Sequence, residues 1–247
     1  MSGPPLLVRA GNWLFRWRNL VFPLTFVILL LTGRPRFPAG DPRLDLAMDG
    51  LGVAVAMLGQ ILRAAVIGLV YIRRGGKDGK VHADTLVTEG IFAHSRNPLY
   101  VGNFLVVLGL LIVLNSPAGW TIGLPGVLFV YAAITRAEEA FLRGKFGAAY
   151  EDYCRRVPRF LPRMAGLGRT LGAHDFDWRK VIRKEYGSTF AWMTFVILLL
   201  IRERVANGAG EQVRESWPAW AAAWASLVLL YGIARFLKKK TKVLRLS

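Results

Sequence analysis

Six apolar segments alternate with polar stretches along the 247 residues of this chain. They cover residues 17–32, 46–72, 99–115, 119–135, 186–201 and 217–236. A helix rises about 1.5 Å per residue, so crossing a hydrocarbon core of about 30 Å takes about 20 residues. The second and sixth segments reach this length alone; the others need flanking residues, a locally thinner bilayer or burial in a bundle. The pattern predicts an all-α, polytopic membrane bundle of six transmembrane helices, with five as the alternative.

Composition and charge indicate whether the protein's partner is a lipid bilayer or a nucleic acid. Apolar residues make up 53% of the chain, the mean hydropathy is +0.36, and most of the eight Trp lie near the ends of apolar runs. This distribution is typical of membrane proteins. A net charge of +17 is compatible with nucleic-acid binding, but the basic residues lie between the apolar segments and not on a free basic helix. We therefore expect a lipid bilayer as partner and no nucleic acid.

The basic residues also predict an orientation. Twelve Lys or Arg lie between residues 136 and 184, and others lie between the second and third segments and in the C-terminal tail. The turn at 115–119 is uncharged, and the loop 202–215 balances three basic against three acidic residues. By the positive-inside rule, both termini and the most basic segments are expected in the cytoplasm.

The sequence also predicts domain boundaries and the absence of a metal site. Residues 1–44 are interpreted as a retained anchor helix and loop, 45–165 as the core, and 166–247 as a two-helix appendage with no assigned role. Cys154 is the single cysteine, so no internal disulfide is expected. The three histidines, His82, His94 and His174, lack the spacing of metal ligands, and no metal site is predicted. The sequence assigns no oligomeric state.

Two polar blocks, residues 86–102 and 135–162, flank the third and fourth apolar segments. Because these segments are joined by the short turn Asn115-Ser116-Pro117, a helical hairpin would bring both blocks to one membrane face. In the first block, Asn97 is a good helix cap and Pro98 suits the first helical position. The free N–H groups of that helix start, beside Arg96, favour a carboxylate-bearing ligand. The alternative is a capped helix whose arginine reaches lipid headgroups.

Glu138 and Glu139 open the second block. Adjacent helical residues point about 100° apart, so the two carboxylates are not expected to form an acid–base pair on one face. One could face a pocket and accept hydrogen bonds from ribose hydroxyls or an ammonium group. The other would then meet Arg136, Arg143 or water, and a simple Glu139–Arg143 ion pair is the alternative.

The rest of the second block predicts one amphipathic helix along the cytoplasmic interface, broken by Pro158. Its basic end, which includes Arg156 and Arg159, would clamp a substrate carboxylate or bind anionic lipid. Gln60 and Arg63 lie inside the second apolar segment, where an arginine is costly unless it faces a polar cavity or a partner. We expect such a partner, for example one of the two glutamates.

Together these elements resemble the isoprenylcysteine carboxyl methyltransferase family of integral-membrane enzymes. The resemblance covers about residues 59–162 and lies in GQILRAA (59–65), LVTEG (86–90), RNPLYVG (96–102), AEE (137–139) and FGAAYEDYCRRVP (146–158). It implies S-adenosylmethionine as methyl donor and a cytoplasmic active site. Asn97 stands where the family has histidine, and Asp84 stands where the family commonly has another.

The resemblance and the residue patterns give three groups of site residues. The expected catalytic residues are Arg96 and Arg156. The expected substrate-binding residues are Gln60, Arg63, Arg156 and Arg159. The expected cofactor-binding residues are Arg96, Asn97, Pro98, Tyr100, Glu138, Glu139 and Tyr150.

The expected reaction is methylation of a carboxylate on an apolar, lipid-like or lipidated acceptor. Such an acceptor needs alignment and removal of water but no general base. One alternative is methylation of a phospholipid amine or small thiol, for which Tyr100, Tyr150 or a carboxylate would serve as base. A second alternative, based on Asn97, is a non-catalytic membrane scaffold. A nicotinamide-dependent reductase is disfavoured because no glycine-rich dinucleotide motif is present.

Overall fold

Long helices carry all six apolar segments, and shorter elements lie between them. The structure is a computed structural model that describes residues 4–33, 41–69, 74–77, 80–173 and 175–240. The long helices are α1 (Leu6–Thr32), α2 (Pro42–Leu69), α3 (Pro98–Leu114), α4 (Leu124–Phe146), α7 (Trp178–Ala206) and α9 (Trp217–Lys240). The short ones are α5 (Ala148–Arg156), α6 (Leu167–Gly172) and α8 (Gly210–Glu215). Arg73, His174 and the basic tail after Lys240 lie outside the described residues.

Three small features depart from regular α-helix. Strands β1 (Arg74–Lys77) and β2 (Lys80–Ala83) form an antiparallel ribbon in which Arg74 pairs with Ala83. A 3-10 turn (Gly90–Ala93) precedes α3, and a π-helical turn (Gly119–Gly123) leads into α4. The all-α prediction is confirmed apart from this ribbon.

Several helices are suited to cross a bilayer. Four are long and apolar enough by length and composition, namely Leu6–Thr32, Arg43–Leu69, Gly119–Phe146 and Trp217–Lys239. Pro98–Leu114 is a shorter apolar helix, and α7 carries the fifth predicted segment. These helices indicate a multi-pass membrane protein; the cytoplasmic placement of the termini stays a prediction.

Glycines allow a close contact between α2 and α3. Gly52 faces Gly109, and Gly59 faces Gly102, so the two antiparallel helices meet at glycines seven positions apart on each helix. A Cβ on Gly109 would lie 2.3 Å from the Gly52 carbonyl oxygen, and a Cβ on Gly59 would lie 2.6 Å from that of Gly102. Small residues that let backbones approach are the usual means of helix association in membranes.

The remaining helices pack around this pair. α1 packs on α4, where Gly11 lies against the backbone of Ala133. α7 packs on both α2 and α3, and α9 packs on α7. α7 therefore lies against both helices of the central pair, whereas the division of the chain at residue 166 stays a prediction.

The predicted hairpin is present, but the predicted amphipathic helix is interrupted. Asn115 ends α3 in the left-handed region at φ 38°, and the Ser116 hydroxyl accepts a hydrogen bond from the Gly119 N–H. The prediction of one continuous helix through the second block is wrong at Gly147. That glycine has φ 52°, separates α4 from α5, and turns Tyr150 and Tyr153 into a small buried cluster with Leu142.

The glycine contact can be tested by adding one methyl group. Gly109→Ala should lower the free energy of unfolding by about 1–3 kcal/mol, because the new Cβ meets rigid helix backbone on α2. Gly126→Ala is the matched control, since a Cβ there meets nothing within 4 Å and alanine is the better helix former. Denaturant titration in detergent micelles measures both. Equal stability of the two variants would contradict the close approach of α2 and α3.

Candidate active site

A cavity of about 910 Å³ lies among α1, α2, α3, α4 and α7. Its polar lining includes Arg63, Arg96, Asn97, Tyr100, Glu138 and Lys184. Its apolar lining includes Phe22, Phe26, Val106, Val107, Tyr131 and Ile134. The volume is within the range of small-molecule sites, and the mixed lining suits ligands with both polar and apolar parts.

Glu138 brings a carboxylate to the cavity from α4. The Tyr100 hydroxyl, two residues into α3, donates a 2.8 Å hydrogen bond to Glu138 Oε1. Both side chains line the cavity, and Glu138 is buried. This contact joins the two polar blocks at one end of the hairpin, as the sequence predicts.

Glu139 points the other way and is held by two arginines. Its side chain is 1% exposed. Arg159 donates to both carboxylate oxygens at 2.9 and 2.7 Å, and Arg96 Nη1 lies 3.1 Å from Oε1. Glu139 does not line the cavity, so it fixes the arginines around it. The alternative Glu139–Arg143 ion pair is not formed, because Arg143 pairs with Glu151 at 2.7 Å.

Arg96 connects this buried ion pair to the cavity. Its Nη1 also donates to the Cys154 sulfur at 2.8 Å, which anchors one side of the guanidinium. Its Nε is buried, carries no hydrogen-bond partner, and belongs to a side chain that lines the cavity. A buried N–H donor without a partner is costly, so this atom suits a ligand oxygen.

The chain around Asn97 is tied to the segment after α5. α3 starts at Pro98 with Asn97 in the cap position, as predicted, but the Asn97 side chain makes no capping hydrogen bond. Its Nδ2 donates instead to the Arg159 carbonyl at 3.1 Å, and the Arg96 N–H donates to the Pro158 carbonyl at 2.9 Å. Asn97 and Pro98 both line the cavity.

Arg63 has the buried partner that its position predicts, but that partner is Glu185 of α7 and neither Glu138 nor Glu139. Its Nε and Nη2 donate to the two Glu185 oxygens at 2.7 Å each. Gln60 Nε2 donates to Glu185 at 3.1 Å, and Trp192 Nε1 donates to Gln60 Oε1 at 3.0 Å. Arg63 and Glu185 line the cavity, whereas Gln60 supports them from behind.

Other predicted residues lie away from the cavity. The Arg156 side chain is 66% exposed and donates to Asp152 at 2.6 Å, and this hydrogen bond lowers the pKa of Asp152. Tyr150 is buried against Tyr153 and Leu142. Arg159 reaches Glu139 and not the cavity. Among the described residues, the structure therefore does not bring Arg156, Arg159 or Tyr150 to the cavity lining.

Three residues at or beside the cavity were not predicted from the sequence. Glu185 and Lys184 line the cavity from α7, and Cys154 contacts Arg96 from α5. One signal was available for Glu185, since an acid at the start of the fifth apolar segment is a natural partner for an arginine inside the second. Nothing in the sequence pointed to Cys154.

Comparison with known proteins adds the family. The model of the phospholipid methyltransferase family matches residues 50–149. The cobalt-zinc-cadmium resistance protein CzcN of Cupriavidus metallidurans is 35% identical over 66% of this chain and 73% of its own length. The nickel-cobalt-cadmium resistance protein NccN of Alcaligenes xylosoxydans xylosoxydans is 31% identical over 60% of this chain and 64% of its own length.

The mouse protein-S-isoprenylcysteine O-methyltransferase is 30% identical over 49% of this chain. The matched region is 43% of that enzyme's length. No solved structure matches the chain significantly. The chain therefore belongs to the isoprenylcysteine carboxyl methyltransferase family of integral-membrane methyltransferases.

The Arg63–Glu185 pair makes a stability prediction. Arg63→Met should cost about 3 kcal/mol of unfolding free energy, because it leaves Glu185 buried without its cation. Arg143→Met is the control, since it breaks the exposed pair with Glu151 and should cost less than about 1 kcal/mol. The double variant Arg63→Met/Glu185→Met should recover most of the loss. Denaturant titration distinguishes the three variants, and equal losses in the first two would refute the pairing.

Proposed function

We propose that this member of the isoprenylcysteine carboxyl methyltransferase family moves a methyl group from S-adenosylmethionine to a carboxylate on an apolar, isoprenylcysteine-type acceptor. The single observation that supports this most is the composition of the cavity. Arg96, Tyr100 and Glu138 line it where α3 begins, and Val106 and Val107 line it about two turns further along α3. A polar donor and an apolar acceptor can therefore share one space.

The residues present fit the donor. The free Nε–H of Arg96 is suited to a carboxylate, and Glu138, held by Tyr100, is suited to an ammonium group or ribose hydroxyls. Asn97 and Pro98 also line the cavity at the start of α3. When bound, S-adenosylmethionine supplies a methyl group on a cationic sulfur, which an acceptor oxygen displaces directly.

The protein's own contribution is alignment and exclusion of water. Glu139 holds Arg96 in place through a buried ion pair, so the guanidinium is fixed before any ligand arrives. Phe22, Phe26 and Tyr131 supply apolar surface that would take the hydrocarbon part of the acceptor and remove water from its carboxylate. A carboxylate acceptor loses no proton, so no general base is required.

The acceptor carboxylate is assigned to basic residues that α2 and α7 bring to the cavity. Arg63 and Lys184 line the cavity, and Gln60 acts on Arg63 through Glu185. Arg156 and Arg159 are not assigned this role, because neither lines the cavity. The distribution of basic segments supports a cavity that opens toward the cytoplasm.

A phospholipid amine or small thiol is the second candidate acceptor. The family model that matches residues 50–149 favours it, and so does the 2.8 Å contact between Tyr100 and Glu138. Such an acceptor must lose a proton, and this hydrogen-bonded pair could accept it.

Binding measurements on the purified protein test the cofactor assignment. Arg96→Gln and Glu138→Gln should each weaken S-adenosylmethionine binding about tenfold or more, because each removes a charge-assisted hydrogen bond. Arg156→Gln is the matched control and should bind as the wild type does, since its exposed side chain pairs with Asp152. Calorimetry measures all three. Unchanged binding in both cavity variants would overturn the assignment, and no binding to the wild type would favour the scaffold alternative.

The methylated product identifies the acceptor class. With an S-isoprenylcysteine acceptor and labelled donor, we expect a methyl ester, from which mild base releases the label as methanol. N-methylated phospholipids and S-methylated thiols keep the label under the same treatment. If the labelled methyl group were found only in base-stable product, the acceptor would be an amine or a thiol and not a carboxylate.

A further inference from the structure

Three carboxylates meet at the end of α2 and α7 that is remote from the cavity. Asp45 and Asp49 lie in the first two turns of α2, and Glu203 lies in the last turn of α7. One carboxylate oxygen from each lies within 4.8 Å of the corresponding oxygens of the other two. Arg63, which lines the cavity, is 18 positions from Asp45, or about 27 Å along the helix.

The burial of Glu203 makes this cluster unlike an ordinary acidic surface. Glu203 is 3% exposed, and both of its carboxylate oxygens are buried and face the carboxyl groups of Asp45 and Asp49 instead of an N–H or O–H donor of another residue type. Asp45 is 6% exposed. A buried carboxylate is normally paired with a cation or coordinates a metal, because leaving it alone in a low dielectric is costly.

Within the described residues, no basic side chain forms an ion pair with these three acids. Arg204 is the next residue in the chain, and its guanidinium lies 5.1 Å from the centre of the Trp220 ring. The cluster therefore brings three acidic side chains together at a place where no basic side chain of the described residues is paired with them.

The cavity end of α2 and α7 has a cation between the two helices, and the remote end, among the described residues, does not. Glu185 and Glu203 are 18 positions apart on α7, which matches the spacing of Arg63 and Asp45 on α2. At the cavity end, α2 supplies a cation and α7 a carboxylate. At the remote end, both helices supply carboxylates. Arg204 of α7 attracts Asp45 and Asp49 but forms no ion pair with them, so a cation from solution bound between the carboxylates would hold the two helices together there in the same way.

We propose that Asp45, Asp49 and Glu203 bind one divalent cation that bridges α2 and α7. Two ligands of one ion are separated by at most twice the metal–oxygen distance, which is about 4.2 Å for Mg²⁺ and about 5 Å for Ca²⁺. A set of oxygens within 4.8 Å of one another fits the limit for Ca²⁺, and a small shift of the side chains would bring it within the limit for Mg²⁺. Carboxylate ligands without nitrogen or sulfur select Mg²⁺, Ca²⁺ or Mn²⁺.

Mn²⁺ binding to the full-length protein in detergent, after removal of metals with a chelator, is the direct test. Electron paramagnetic resonance should show about one saturable Mn²⁺ per chain, displaced by Ca²⁺ or Mg²⁺. Glu203→Gln and Asp49→Asn should each weaken it at least about tenfold, since affinity follows the number of charged ligands. Glu211→Gln is the matched control, because Glu211 is exposed in α8, outside the cluster.

Thermal unfolding supplies a second readout. Divalent cations should raise the Tm of the wild type and of Glu211→Gln above that in NaCl of equal ionic strength, and should not raise that of Glu203→Gln. No saturable Mn²⁺, or equal binding by wild type and both cluster variants, overturns the proposal. Stabilisation by acid alone, without a cation effect, also overturns it, because protons would then neutralise the cluster. These readouts do not involve the cavity, so they are independent of methyl transfer.

Discussion

The buried carboxylate of Glu139 is the contact on which the polar end of the cavity depends. It is 1% exposed and is paired with two guanidiniums that come from separate parts of the chain. Arg96 arrives from the start of α3, and Arg159 arrives from the segment after α5. Because a buried charge must be paired, this single group fixes both segments against α4. Its helical neighbour Glu138 consequently points into the cavity, where Tyr100 holds it.

The segment after residue 166 contributes one wall of the cavity. The Arg63–Glu185 ion pair places α7 against α2 and makes α7 one wall of the cavity. An arginine inside a membrane helix is tolerated when it faces a partner or a polar space, and here it faces both. Helix α7 of the extension therefore contributes side chains to the same cavity as the residues that resemble the methyltransferase family.

The features that the sequence predicted correctly depend on local rules. The start of α3 at Pro98, the hairpin turn at Asn115, and the divergence of Glu138 from Glu139 follow from capping and from the helical period. The pairing of Arg63 with Glu185 depends on which helices become neighbours, and residue patterns do not state this. Gly147 was missed because the apolar spacing continues across it. The absence of a metal site was predicted from cysteine and histidine spacing alone, which gives no information on carboxylates from distant helices.

The position of the cavity follows from how unevenly the helices pack. α2 and α3 meet at glycines, and α1 meets α4 at Gly11, so each pair is closely packed. The cavity lies between these two pairs, with α7 as a further wall. At its polar end the two pairs are joined by the Arg96–Glu139 and Tyr100–Glu138 contacts, whereas further along α1 the boundary with α7 is the ring contact of Phe26 with Phe195 at 5.5 Å. Ring contacts can separate without leaving a polar group unpaired, so the apolar part of this boundary is where a lipid-like molecule can enter at least cost.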